Sequence, residues 1–161
     1  MATLNHPYFG LLDSDALADE VDVLWERGVD LNGHSVSAQL WAAAEAELDA
    51  SELDQFAARL QNLAELDQRA RAALQKYLAD DDSYLTHHRE EMDGGDELPD
   101  TSAAFVAAMT LHSIGLWHQD PFDEGSGPLV LDYMIDPDNS DEILAVSVAA
   151  DGEITEINWE S

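Results

Sequence analysis

The chain has 161 residues, 45% of them hydrophobic, with 35 acids against six bases, no cysteine and a formal net charge of −29. A chain of this size buries a core unaided, and no run reaches the roughly 18 apolar residues of a membrane span. The missing cysteines exclude disulfides and thiolate metal sites, and the negative field excludes phosphate backbones and anionic lipid as direct partners.

The bases are Arg27, Arg59, Arg69, Arg71, Lys76 and Arg89, and residues 90 to 161 contain none. A basic protein partner or bound cations are compatible with such a surface, as is adaptation to high salt. The opening MATLNHPYFG lacks the basic region and apolar stretch of a secretory signal, so cytoplasmic residence is the default expectation.

Residues 20 to 42 read as a β-hairpin. Val21, Val23 and Trp25 alternate with Glu20, Asp22 and Glu26, and Val36, Ala38 and Leu40 alternate with Ser35, Ser37 and Gln39. Asn32-Gly33 between them supplies the positive φ angles of a tight turn. Gly28 marks a bulge, and an earlier short strand covers Tyr8 to Leu12.

Residues 51 to 79 carry an apolar stripe at three- and four-residue steps, from Leu53 and Phe56 to Leu74 and Tyr77. Ser51 is the expected N-cap. The span is long for one helix and breaks near Asn62 or Glu65. A further helix at about 82 to 93 starts at three aspartates and closes at Gly94-Gly95. A loop over 93 to 100 follows, then a short apolar helix capped by Thr101 or Ser102.

The last third changes period. TLHSIGLWH, PLVLDYMID, EILAVSVAA and EITEINWE read as strands, with QDPFDEGSGP as a turn-rich connection and Asp151-Gly152 as a tight hairpin. All four tryptophans fall on predicted strands.

The expected architecture is a single α+β domain over 1–161, with strands in 8–42, helices in 51–110 and strands in 111–160. Its sheet is largely antiparallel, an N-terminal hairpin plus a C-terminal β-meander, with helices packed on one face.

Five segments carry a resemblance: His6-Pro7-Tyr8-Phe9-Gly10, the Leu31-Asn32-Gly33 turn, Tyr84 with His87-His88, Ile114-Gly115-Leu116, and Asp132-Tyr133. Together they make the chain similar to a bacterial domain-of-unknown-function family, DUF two-thousand-and-four, whose members are small and acidic. The resemblance implies an α+β fold and the bacterial cytoplasm. It supplies no activity, cofactor or catalytic residue.

The densest chemistry is YLTHHREEMDG. On a helix His87 and Glu91 are four apart and His88 and Glu91 three apart, so both pairs share a face in part. The two histidines diverge by roughly 100°, and a helical zinc pair needs histidines four apart. A metal set of His87, His88 and Glu91 therefore has to recruit His112, His118 or Asp120 from the late strands. The simpler expectation is a solvated helix with one histidine against the sheet.

His112 and His118 are six apart, which puts both on one face of a regular strand with Ile114 and Leu116. Gly115 suggests a bulge or close backbone approach there. DPDNSDE starts like a calcium loop, but Asp141 stands where glycine is needed and Ser147 where glutamate is needed. It reads better as a turn between strands. No phosphate loop, dinucleotide fingerprint or nucleophile elbow is present, so no cofactor is expected.

Three functions fit. First is a non-enzymatic binding or regulatory module docking a basic protein, with toxin neutralisation as one version. Second is a structural domain whose acidity answers its environment. Third is a metal-binding protein or metal-dependent hydrolase built on His87, His88 and Glu91. Neither the partner nor the oligomeric state is legible in the sequence.

Overall fold

The computed structural model describes residues 2–119, 128–149 and 151–160. Two short strands, β1 (Thr3–His6) and β2 (Gly10–Asp13), pair antiparallel at the start. Strand structure thus begins at Thr3, before the expected Tyr8. A hairpin follows, β3 (Val21–Leu31) and β4 (His34–Ala43). Its turn holds Asn32 at φ +53° and Gly33 at φ +86°, the left-handed pair that a two-residue connection requires.

The helices come next: α1 (Ala50–Gln61), α2 (Leu63–Asp80), α3 (Ser83–Glu91) and α4 (Ser102–Ala108). The break expected near Asn62 falls there. The α1 cap is Asp49, whose carboxylate accepts from the N–H groups of Ser51 and Glu52; Ser51 lies inside the first turn. Aspartate at this position also meets the positive helix end. Of the two expected caps for α4, Thr101 is the one used, accepting from Ala104 N–H at 3.2 Å, and Ser102 is the first helical residue.

Four strands finish the chain: β5 (Thr110–Trp117), β6 (Leu129–Met134), β7 (Ile143–Val148) and β8 (Ile154–Glu160). They join β3 and β4 in a six-stranded sheet whose spatial order is the chain order. Every pairing is antiparallel except β4 with β5, which run parallel from Ser37↔Ser113 to Trp41↔Trp117. All four helices lie in the crossover between these two strands, as a parallel connection demands. The fold is α+β with a largely antiparallel sheet.

The core lies between the helices and one sheet face. Across the strands Ala38, Ile114, Leu131 and Val146 stand in one row, and Leu40, Leu116, Leu129 and Val148 in the next, all essentially buried. Against them pack Phe56, Leu60, Leu66, Leu74, Leu78 and Phe105 from the helices. The stripe read from the sequence of residues 53 to 77 is this buried surface.

Two strand irregularities differ from expectation. In β3 the register shifts between Val23 and Trp25, so Leu24 is the extra residue and Gly28 is not a bulge. Gly28 instead answers a close neighbour, because a Cβ there would lie 2.7 Å from Ser35 Oγ. In β5 the register shifts between Leu111 and Ser113, which makes His112 the extra residue. The even spacing of His112 and His118 therefore fails to keep them on one face. His118 is buried with Ile114 and Leu116, while His112 is exposed.

The DPDNSDE segment is the β6–β7 turn. Asp136 spends its carboxylate on Asp138 N–H at 3.2 Å and the Asn139 side-chain amide at 2.8 Å. Across the β7–β8 turn Ala149 N–H donates to Glu153 O, with Gly152 at φ +94°. The QDPFDEGSGP connection lies almost wholly outside the described residues.

Candidate functional site

Helix α3 is short and only weakly amphipathic, and it holds on by Tyr84, Leu85 and His88. Tyr84 and His88 are four apart and pack with tilted rings, their centroids 4.3 Å apart. The Tyr84 hydroxyl donates to Glu142 O at 2.7 Å, tying the helix to the start of β7. Burial and the nearby Glu142 charge push the phenol pKa far up, so Tyr84 stays a donor.

His88 is 1% exposed. One ring nitrogen, Nδ1, lies 2.8 Å from the Tyr84 carbonyl, which can only accept, so Nδ1 carries the proton. Nε2 then accepts from the Ser140 hydroxyl at 2.7 Å. Burial, with a smaller contribution from His87, holds the His88 pKa below its usual 6.5. The neutral ring acts as a latch between α3 and the β6–β7 turn. Ser140 is itself fixed, with its N–H on Asp136 O at 2.8 Å and its Oγ accepting from Glu142 N–H at 3.2 Å.

Outside this latch the surface opens. Glu142 holds the Trp159 indole N–H at 2.7 Å through Oε2, and its Oε1 lies 4.0 Å from His87 Nε2. The Trp159 ring rests edge-on against Tyr84 at 5.2 Å and His87 at 5.5 Å, yet stays 37% exposed. Between α3 and the β6–β7 turn is a pocket of about 140 Å³ lined by His87, His88, Glu91, Ser140, Asp141 and Glu142, among others, with no lysine or arginine in its wall. Three carboxylates, two histidines and an aromatic neighbour give this corner of the surface a negative potential.

Of the expected metal residues, the structure gathers His87, His88 and Glu91 around this pocket. His88 has both nitrogens engaged within the fold. His112 and His118 have other neighbours. His112 stands exposed near Asp132, whose pKa burial raises while the Ser113 hydroxyl, 3.1 Å away, lowers it. His118 accepts from Asp49 N–H at 2.9 Å and anchors the start of α1 to the end of β5. Asp120 lies outside the described residues. No group of three or more His, Asp or Glu side chains among the described residues is arranged to hold a metal ion.

Ser140, Glu142 and Trp159 escaped sequence reading. DPDNSDE reads as a turn between strands that fails as a calcium loop, and nothing local announces that its serine meets a histidine 52 positions earlier. A buried aromatic and an exposed one look alike in a β pattern.

The two latching histidines set a pH dependence. Burial lowers the pKa of both His88 and His118, so as pH falls below the ordinary histidine value of 6.5 the unfolded chain binds more protons than the folded one. Their stabilising contribution is complete above that pH and is lost as pH falls through the folded values. Neutralising the many carboxylates acts in parallel, so the effect is read as a difference. The gap in urea midpoint between wild type and His88→Asn should be larger at pH 7.5 than at pH 5. A gap independent of pH would contradict the neutral latch.

No family model, no curated protein and no solved structure matches the chain.

Proposed function

We propose that the protein is a non-enzymatic binding module that docks a basic protein partner, in the manner of a toxin-neutralising protein. In this reading the pocket beside α3 receives a lysine or arginine of that partner. The observation that supports it most is Trp159: a large aromatic left in solvent, held by Glu142, beside a pocket with three acids and no lysine or arginine. An exposed indole beside carboxylates that meet no lysine or arginine in the pocket wall suits a cation, through its ring face and the charge together. Net charge of −29 adds steering at long range.

The reading sets the protein in the bacterial cytoplasm, as the resemblance to DUF two-thousand-and-four implies. No helix among the described residues is long and apolar enough to cross a membrane.

The test is titration of a lysine-rich peptide into wild type, Trp159→Ala and Glu142→Gln. Affinity should fall at least tenfold between about 0.1 M and 1 M salt, where the screening length shrinks from ~10 Å to ~3 Å. Trp159→Ala should cost ~0.5–2 kcal/mol of binding, with Glu142→Gln at least as costly because it removes the charge. Equal binding by all three proteins would sink the pocket assignment. Stability that climbs with salt while no basic ligand binds would make the acidity environmental.

A further inference from the structure

The sheet ends at β8, and among the described residues no strand pairs with its outer edge. Such an edge offers unpaired backbone N–H and C=O groups to any extended chain. Natural edges are commonly guarded by charge. Here the guards are Glu156 and Glu160, both exposed, with Asn158 and Trp159 exposed between them. Guards of one sign refuse a second copy of this acidic chain and admit a basic strand.

The helix-side face of this edge is already shaped. Pairing with β7 is regular from Glu156 to Glu160, after a break between Ser147 and Val148 on the partner side. Ile157 pairs with Val146 and Trp159 with Leu144, so both point to the helix side. Beneath Ile154 and Ile157 is a groove of about 260 Å³, floored by Ala73 and Tyr77 of α2 and rimmed by Lys76 and Asp80. Trp159 touches Glu142 and His87, two of the residues that line the acidic pocket of α3.

We propose that the basic partner is captured as an extended segment that adds a seventh strand to the outer edge of β8. The proposal rests on the reading of the α3 pocket as a lysine or arginine receptor and specifies how the partner reaches it. Side chains on one face of a strand recur every second residue, roughly 6.6 Å apart. Ile157 and Trp159 have that separation. The captured segment therefore presents an apolar side chain to the Tyr77 groove and a lysine or arginine two residues away to the pocket. Main-chain hydrogen bonds supply affinity and the alternate pockets supply specificity.

The probe is a blocked synthetic peptide of about nine residues in which every second residue is by turns valine and lysine, with threonine between them, so that one face carries both; it is tested beside the same peptide N-methylated on alternate amides along either edge. Hydrogen exchange reads the β8 amides that point away from β7. With the peptide at ten times its Kd, those amides should slow about tenfold, and one of the two N-methylated peptides should lose binding. Glu156→Lys should weaken the peptide as well. Salt-sensitive binding that needs Glu142 yet leaves the β8 amides unprotected, with both N-methylated peptides still bound, would overturn strand addition and leave the basic-partner reading standing. No binding of any peptide would remove both.

Discussion

Replacing Arg71 with alanine is expected to lower stability by about 3–5 kcal/mol, the largest effect of any single surface-reaching side chain here. Asp67 is the one buried carboxylate among the described residues, at 6% exposure. Arg71 Nε donates to both of its oxygens at 3.0 Å, and Tyr133 Oη donates to Oδ1 at 2.7 Å. The same guanidinium donates through Nη1 to Val106 O at 2.7 Å and Met109 O at 2.9 Å, the carbonyls that end α4. It also lies over the Tyr133 ring, 5.3 Å from the centroid.

Without Arg71 a charge stays buried with one hydroxyl for company, and the end of α4 loses its donors. Arg71→Lys restores the charge without the planar fork, so it should recover only part of the loss. Urea unfolding followed by circular dichroism decides the matter. A loss below about 1 kcal/mol for Arg71→Ala would show that α4 does not depend on this network.

Phe105→Ala is the second large expectation, at about 3–5 kcal/mol. Phe105 is fully buried on α4, edge-on to Tyr84 at 6.0 Å and 6.3 Å from the His88 ring. The cavity would open directly behind the latch that holds the β6–β7 turn. The variant should therefore show a second symptom beyond lost stability: the His88 imidazole resonances should broaden or shift under native conditions. Phe105→Leu keeps most of the volume and should spare both properties in large part. A Phe105→Ala protein that is destabilised while its His88 signals stay unchanged would separate the latch from the core behind it.

Patterns of local origin were readable from the sequence. Asn32-Gly33 announced its turn because few residues accept left-handed angles, and the 53–77 stripe announced a buried helix face because the helical period is built into the chain. The Asn62 break also agreed with the chain's own pattern.

What depended on distant partners was not readable. The bulge at His112 arises only when β5 pairs with β6, and it reverses the facing that an even spacing implies. Asp49 rather than Ser51 caps α1, and its backbone N–H also meets His118 beyond the end of β5, a contact that no local pattern announces. The first strand, TLNH, has too little apolar alternation to stand out and is held by β2.

For the candidate site, α3 was singled out for its histidines, and His87 does line the pocket. Its chemistry differs from the metal-binding pattern because His88 turns inward to Ser140. The residues that give the pocket its character, Glu142 and Trp159, come from a turn and an edge strand more than 50 positions later.

The parallel contact between β4 and β5 has a kinetic consequence. Leu40 meets Leu116 only after every helix has been made. During synthesis the early hairpin must wait, with Val36, Ala38 and Leu40 uncovered, until the ribosome releases the late strands. Long-range pairing of this kind is slow and leaves the nascent chain prone to association. The net charge of −29 bears on that wait, because mutual repulsion keeps half-made copies apart.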